Sequence, residues 1–155
     1  MTNTILFRKM VNDYNALAYT HKYIFGYTHK GIVYAVHTDS EVLPYVCTLD
    51  RASRGAGYSL RFKPNKAQKE TLASLQPAVL CSAEYFNAEL SATKYNAGEL
   101  FEKLVTESYG QTWVKDNVPF TAGGDIEVDG VAYQIKYEKA TFTNEKTLAR
   151  LKAAR

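Results

Sequence analysis

Cysteine is scarce in this chain of 155 residues: there are two, Cys47 and Cys81. They lie far apart and form no metal-binding pattern, so the default is a pair of reduced, buried thiols in a cytoplasmic protein. Histidine is scarce too. His21, His29 and His37 stand at spacings of eight with no cysteine beside them, which argues against zinc. No apolar run approaches the roughly 18 residues of a membrane span. The start, Met1 to Lys9, lacks the basic-then-apolar order of a signal peptide. There is no internal repeat and no low-complexity tract. An excess of one charge is missing as well, because the net charge is only +3.

What is present is globular. Hydrophobic residues make up 46% and charged residues 23%, enough for a core and too little charge for a disordered chain. The charge is uneven. From Arg51 to Lys69 stand Arg51, Arg54, Arg61, Lys63, Lys66 and Lys69, with no acid among them. That is either a footprint for a polyanion or a solvated loop with ordinary surface lysines.

The pattern of elements is α+β. Leu6, Met10, Tyr14 and Leu17 predict a helix over 3–19. Tyr23–Tyr27 and Gly31–Thr38 predict a hairpin, and Val42–Leu49 with Tyr58–Phe62 a second pair of strands. Pro64-Asn65 opens a helix that Gln76-Pro77 closes. Residues 77–81 predict a strand and 83–90 a helical turn or two. A helix from Gly98 to Tyr109 carries Leu100, Phe101, Leu104 and Val105 and is stopped by Gly110. A short strand is expected over 111–117, and a basic helix over 144–155. The expected boundary falls near Thr93, between a β-rich N-terminal elaboration (1–93) and a second part (94–155). The first part can equally pack onto the sheet of the second.

The strongest local signal is Asp129-Gly130 between two short β runs, which predicts a two-residue hairpin turn. Counting outward, Val128 faces Val131, Glu127 faces Ala132, Ile126 faces Tyr133, and Asp125 faces Gln134. Side chains alternate along a strand. Ile126, Val128, Val131, Tyr133, Ile135 and Tyr137 therefore share an apolar face. Asp125, Glu127, Gln134, Lys136 and Glu138 share the other. An acid, an amide oxygen and a lysine converge there, after the two glycines Gly123 and Gly124. Such a set can hold a divalent metal beside a lysine, as hydrolysis of a phosphodiester requires. The bland reading makes Asp125 a turn terminator and Lys136 a solvated strand lysine.

These residues resemble the PD-(D/E)XK nuclease superfamily, over roughly residues 95–148. Its motif is an acid at the start of one strand and an acid-X-lysine on the paired strand, here Asp125 and Gln134-Ile135-Lys136. The superfamily often adds an acid from the preceding helix in a Gly-x-x-x-Glu setting. Gly98-Glu99-Leu100-Phe101-Glu102 fits that place with Glu102. Two departures stand out: Gly124 precedes the motif acid, and Gln134 replaces the second acid. Glutamine is a neutral, weaker ligand for Mg²⁺ than a carboxylate. Glu127 and Glu138 are second-rank sources of the missing charge.

The resemblance implies a restriction-endonuclease-like mixed sheet flanked by helices. It also implies a Mg²⁺-dependent endodeoxyribonuclease of phage, mobile-element or restriction type, in which Mn²⁺ can substitute. Asp125, the Gln134 side chain, the Ile135 carbonyl and Glu102 would hold the metal, and Lys136 would act beside it. DNA contacts are expected from Arg51, Arg54, Arg61 and Lys63, and past the motif from Lys139, Thr141, Thr143, Lys146 and Arg150. The histidines read as structural. A duplex cut requires two sites or two nicks, so a homodimer or larger homo-oligomer is expected. Two other readings of the same residues stand beside this one. The first is a catalytically degenerate nuclease fold that binds nucleic acid or inhibits a partner. The second is a structural module with a solvated hairpin face.

Overall fold

The computed structural model describes residues 22–51, 58–114 and 126–141. The helices expected over 3–19 and 144–155 lie outside them. The described chain is a mixed α+β fold in three layers. Its strands are β1 (Lys22–His29), β2 (Ile32–Asp39), β3 (Thr48–Arg51), β4 (Tyr58–Phe62), β5 (Ala78–Ser82), β6 (Ile126–Val128), β7 (Val131–Tyr137) and β8 (Ala140–Thr141). Its helices are α1 (Leu43–Val46), α2 (Lys66–Ala73), α3 (Ala83–Ala92) and α4 (Ala97–Ser108). Among the described residues no helix is long and apolar enough to cross a membrane.

The middle layer is a five-stranded sheet in the order β5-β2-β1-β7-β6. All its neighbours are antiparallel except β1 and β7, which run parallel. Strands from both sides of residue 93 thus share one sheet. β1 lies at the centre, and its sequence explains why: Tyr23, Ile24, Phe25 and Tyr27 form a nearly continuous apolar run, suited to a strand buried on both faces. Lys30 and Gly31, with φ of +49° and +80°, turn the chain from β1 into β2.

Each face of this sheet builds its own core. Tyr23, Phe25, Tyr27 and Val36 pack against Leu43, Val46, Leu60, Phe62 and Leu72, beneath α1, α2 and the second sheet. That second sheet has three strands in the order β3-β4-β8. Phe25 and Phe62 stack across the layers with ring centroids 4.4 Å apart. On the opposite face, Ile24, Val33, Ile126 and Ile135 meet Phe86 of α3 and Leu100, Phe101 and Val105 of α4.

Two elements differ from expectation. The run 42–49 is not one strand: a short 3-10 turn and α1 precede the four residues of β3. Pro44 lies in the first turn of α1, where its missing N–H costs nothing. The carboxylate of Asp39 accepts the Glu41 N–H at 3.0 Å and starts the bend. Residues 111–114, expected as part of a strand, carry no regular structure. The Gln111 side chain instead donates to the Glu127 carbonyl at 2.7 Å. Trp113 meets the ring of Tyr95 edge-on.

Candidate active site

β6 and β7 form the expected hairpin in the expected register: Val128 with Val131, Glu127 with Ala132, Ile126 with Tyr133. Asp129 and Gly130 have φ of +52° and +81°, the left-handed pair that a two-residue type I′ turn demands. The faces divide as alternation requires. Ile126 and Ile135 are buried against α4, with Val128, Tyr133 and Tyr137 packed beside them. Gln134 and Lys136 therefore belong to the other face, where the parallel ladder sets them abreast of Tyr23 and Phe25. Both are half-buried. Lys136 comes close enough to Cys47 for its charge to act on the thiol. Burial pushes the Cys47 thiol well above its usual range, and the Lys136 ammonium opposes that rise.

Glu102 arrives from a different element. Asn96 caps α4: its side chain accepts the Glu99 N–H at 2.8 Å, and Glu99 accepts the Asn96 N–H at 3.0 Å. That box fixes where the helix starts. Leu100, Phe101 and Val105 then face the sheet, and Glu102 comes at the flank of their stripe, half-buried. The close approach depends on Gly26, because a Cβ there would lie 2.3 Å from the Phe101 ring. Glu102 and Lys136 thus start from opposite faces of the sheet.

Both nonetheless line one cleft. The described part of β6 pairs as far as Tyr133, and from Gln134 to Tyr137 the described ladder of β7 is the one with β1. The cleft, of about 370 Å³, runs along the end of β7 and the turn after it. Asn96, Gly98, Glu99 and Glu102 form one wall, and residues 135–140 the other. Of the candidate site residues, the cleft brings together Glu102, Ile135, Lys136 and Lys139. Gln134 lies one residue before its wall. Asp125, bonded to Ile126, lies outside the described residues, as do Arg54, Thr143, Lys146 and Arg150.

The remaining candidates divide by their partners. Arg61 pairs with Asp50 at 3.2 Å. Lys63 and Lys139 are exposed. Arg51 stands opposite Tyr58 at the end of β3, and Thr141 opposite Arg61 in β8. Glu127 is exposed on β6. Glu138 is engaged elsewhere: its Oε1 pairs with Lys69 Nζ at 3.0 Å and accepts the Thr28 N–H at 3.1 Å. Lys69 also donates to the Thr28 carbonyl. This clamp ties α2 to the ends of β1 and β7, and no spacing in the sequence announces it. A second polar cluster was equally silent. Tyr109 Oη and His37 Nε2 are hydrogen-bonded, and Tyr133 meets the same imidazole edge-on at 5.0 Å. Partial desolvation there holds the His37 pKa below its usual value.

Among the described residues no three His, Cys, Asp or Glu side chains gather into a metal site. The oxygen donors of the cleft, the Glu102 carboxylate and backbone carbonyls, are nonetheless of the hard type that suits Mg²⁺, as is the amide of Gln134, next in sequence to Ile135. Comparison with protein-family models, with curated proteins and with solved structures found no match.

Proposed function

We propose that the chain is a Mg²⁺-dependent endodeoxyribonuclease with a restriction-endonuclease-like core, acting at the cleft between α4 and β7. One observation carries the reading: Glu102 from α4 and Lys136 from β7 line the same cleft, beside Ile135. Asp125 directly precedes β6, and Gln134 directly precedes Ile135. Together, Asp125, Glu102, the Gln134 amide and the Ile135 carbonyl are the residues that would hold the metal. A bound Mg²⁺ supplies Lewis acidity toward a phosphate oxygen and toward water.

The chain's own residues do the rest. Lys136, anchored in mid-strand, orients the attacking water and offsets negative charge on the phosphoryl oxygens. Its half-burial strengthens that effect relative to a fully solvated lysine. Lys139, on the turn after β7, carries a further positive charge at the same cleft. The substrate is DNA, and a homodimer would bring two such clefts to a duplex.

Gln134 favours a second reading. With a neutral amide in place of the second carboxylate, the same surface would grip nucleic acid without turnover. DNA cleavage in Mg²⁺ or Mn²⁺ against EDTA separates the two. The nuclease reading expects Lys136→Ala and Glu102→Gln to lose activity by roughly a hundredfold or more while retaining their fold. Gln134→Glu should retain or raise the activity. Tight DNA binding without turnover in either metal would favour the second reading.

A further inference from the structure

The run of cations from Arg51 to Lys69 looks uniform in sequence, and the fold splits it. Arg61 is spent on Asp50 and Lys69 on Glu138. Lys63 and Lys66 are exposed, and among the described residues neither forms an ion pair or a hydrogen bond through its side chain. The fold then adds a third cation from far along the chain. Phe62 pairs with Ala140, so Lys63 and Lys139, one step beyond on each strand, flank the same end of the β4·β8 ladder. Lys139 is likewise exposed and forms no ion pair among the described residues. The neighbouring acid, Glu138, is already neutralised by Lys69.

Lys63 and Lys139, one step beyond the last pair of the ladder, are like charges across from each other, and a row of anions relieves their repulsion, with Lys66 three residues on as a further exposed cation. Lys139 also lines the cleft that holds Lys136 and Glu102. We infer that Lys63, Lys66 and Lys139 form a phosphate track, along which a nucleic-acid backbone runs from the seam between the two sheets into the cleft. This deepens the nuclease reading and rests on it for the identity of the polyanion. The inference also removes Arg61 and Lys69 from the contact surface, although both belong to the same run of sequence.

The test is the salt dependence of DNA binding, measured in EDTA so that nothing is cut. Each phosphate neutralised contributes about 0.9 to the slope of log affinity against log salt on duplex DNA. The variant Lys63→Gln/Lys66→Gln/Lys139→Asn should flatten the slope by roughly 2 to 3. Asparagine is chosen at position 139 because φ there is +71°. If circular dichroism shows that the triple variant is misfolded, Lys63→Gln/Lys66→Gln alone should flatten the slope by about 2. The control removes the Arg61–Asp50 pair as Arg61→Gln/Asp50→Asn and should leave the slope unchanged.

An unchanged slope in the lysine variant would overturn the track. So would an equal fall in the control, which would point to a diffuse field. Binding of anionic phospholipid vesicles in place of DNA, lost in the same variant, would overturn the nucleic-acid assignment. Cleavage assays keep the two claims apart. Metal-dependent cutting with an unchanged slope refutes the track alone. A flattened slope without cutting leaves the track standing and refutes the nuclease reading.

Discussion

Gly26 is the residue on which the most depends. It sits in the central strand between Phe25 and Tyr27, and its missing side chain makes room for the Phe101 ring of α4. Gly26→Ala should therefore lower stability by about 1–3 kcal/mol or more through overpacking, read as a shift of the urea midpoint. Adding Phe101→Leu should recover part of that loss, because the clash is with the ring. Cys47 offers a chemical counterpart. Its thiol is buried and held protonated by that burial, despite the nearby Lys136. It should resist alkylation under native conditions and react promptly in denaturant. Cys81, only half-buried, should react first. At this scale the sequence was a fair guide to identity and a poor one to duty. Nothing marks Gly26 as the seat of a helix, and nothing marks Glu138 as the partner of Lys69.

At the scale of the element, the hairpin β6–β7 was legible because its register is set by two residues. Asp129-Gly130 fixes the turn, and period-2 alternation does the rest. Gly130→Val should cost about 1–2 kcal/mol, since φ of +81° puts a β-branched residue in a forbidden region. Thermal melts report it, and Asp129→Asn should be nearly silent. α4 was legible for a similar reason, with an apolar stripe and a stop at Gly110, while its Asn96 cap and its start at Ala97 came from the structure. The run 42–49 was misjudged because its β-branched and aromatic composition outweighed Pro44 in the reading. The proline was the available signal. The site was legible in part. The motif placed Lys136 and Gln134 on one face, but that Glu102 shares a cleft with Lys136 depends on how α4 packs on the sheet.

For the whole molecule, the telling feature is β1, buried on both faces and parallel to β7. Pairing between residues so distant in sequence is invisible to local periodicity, so the sequence left open whether the front strands join the sheet of the hairpin. The clamp of Lys69, Glu138 and Thr28 holds that union at one end. It is mostly but not fully buried, so Lys69→Met should destabilise by about 1–2 kcal/mol, between exposed and buried pairs.

The His37 cluster gives a pH signature. Partial desolvation beside Tyr109 and Tyr133, on a side chain that still reaches solvent, lowers the folded-state pKa of His37 below its usual 6.5, so the unfolded chain takes up the proton first. The stability due to neutral His37 is full above the unfolded value and declines as pH falls from there toward the folded one. Between about pH 7.5 and about pH 5, wild type should therefore lose more stability than His37→Gln in parallel denaturant titrations.

Metal-dependent chemistry at the cleft beside β7 is what separates a nuclease from a nucleic-acid binder or a solvated module. Its most direct test is cleavage of mixed supercoiled, linear and branched DNA in Mg²⁺ or Mn²⁺ against EDTA, with Asp125→Ala and Lys136→Ala run beside wild type. The account predicts cutting by wild type that EDTA abolishes and that each substitution abolishes in folded protein. Cutting that survives both substitutions, or no cutting by folded wild type on any of these substrates in either metal, would contradict it.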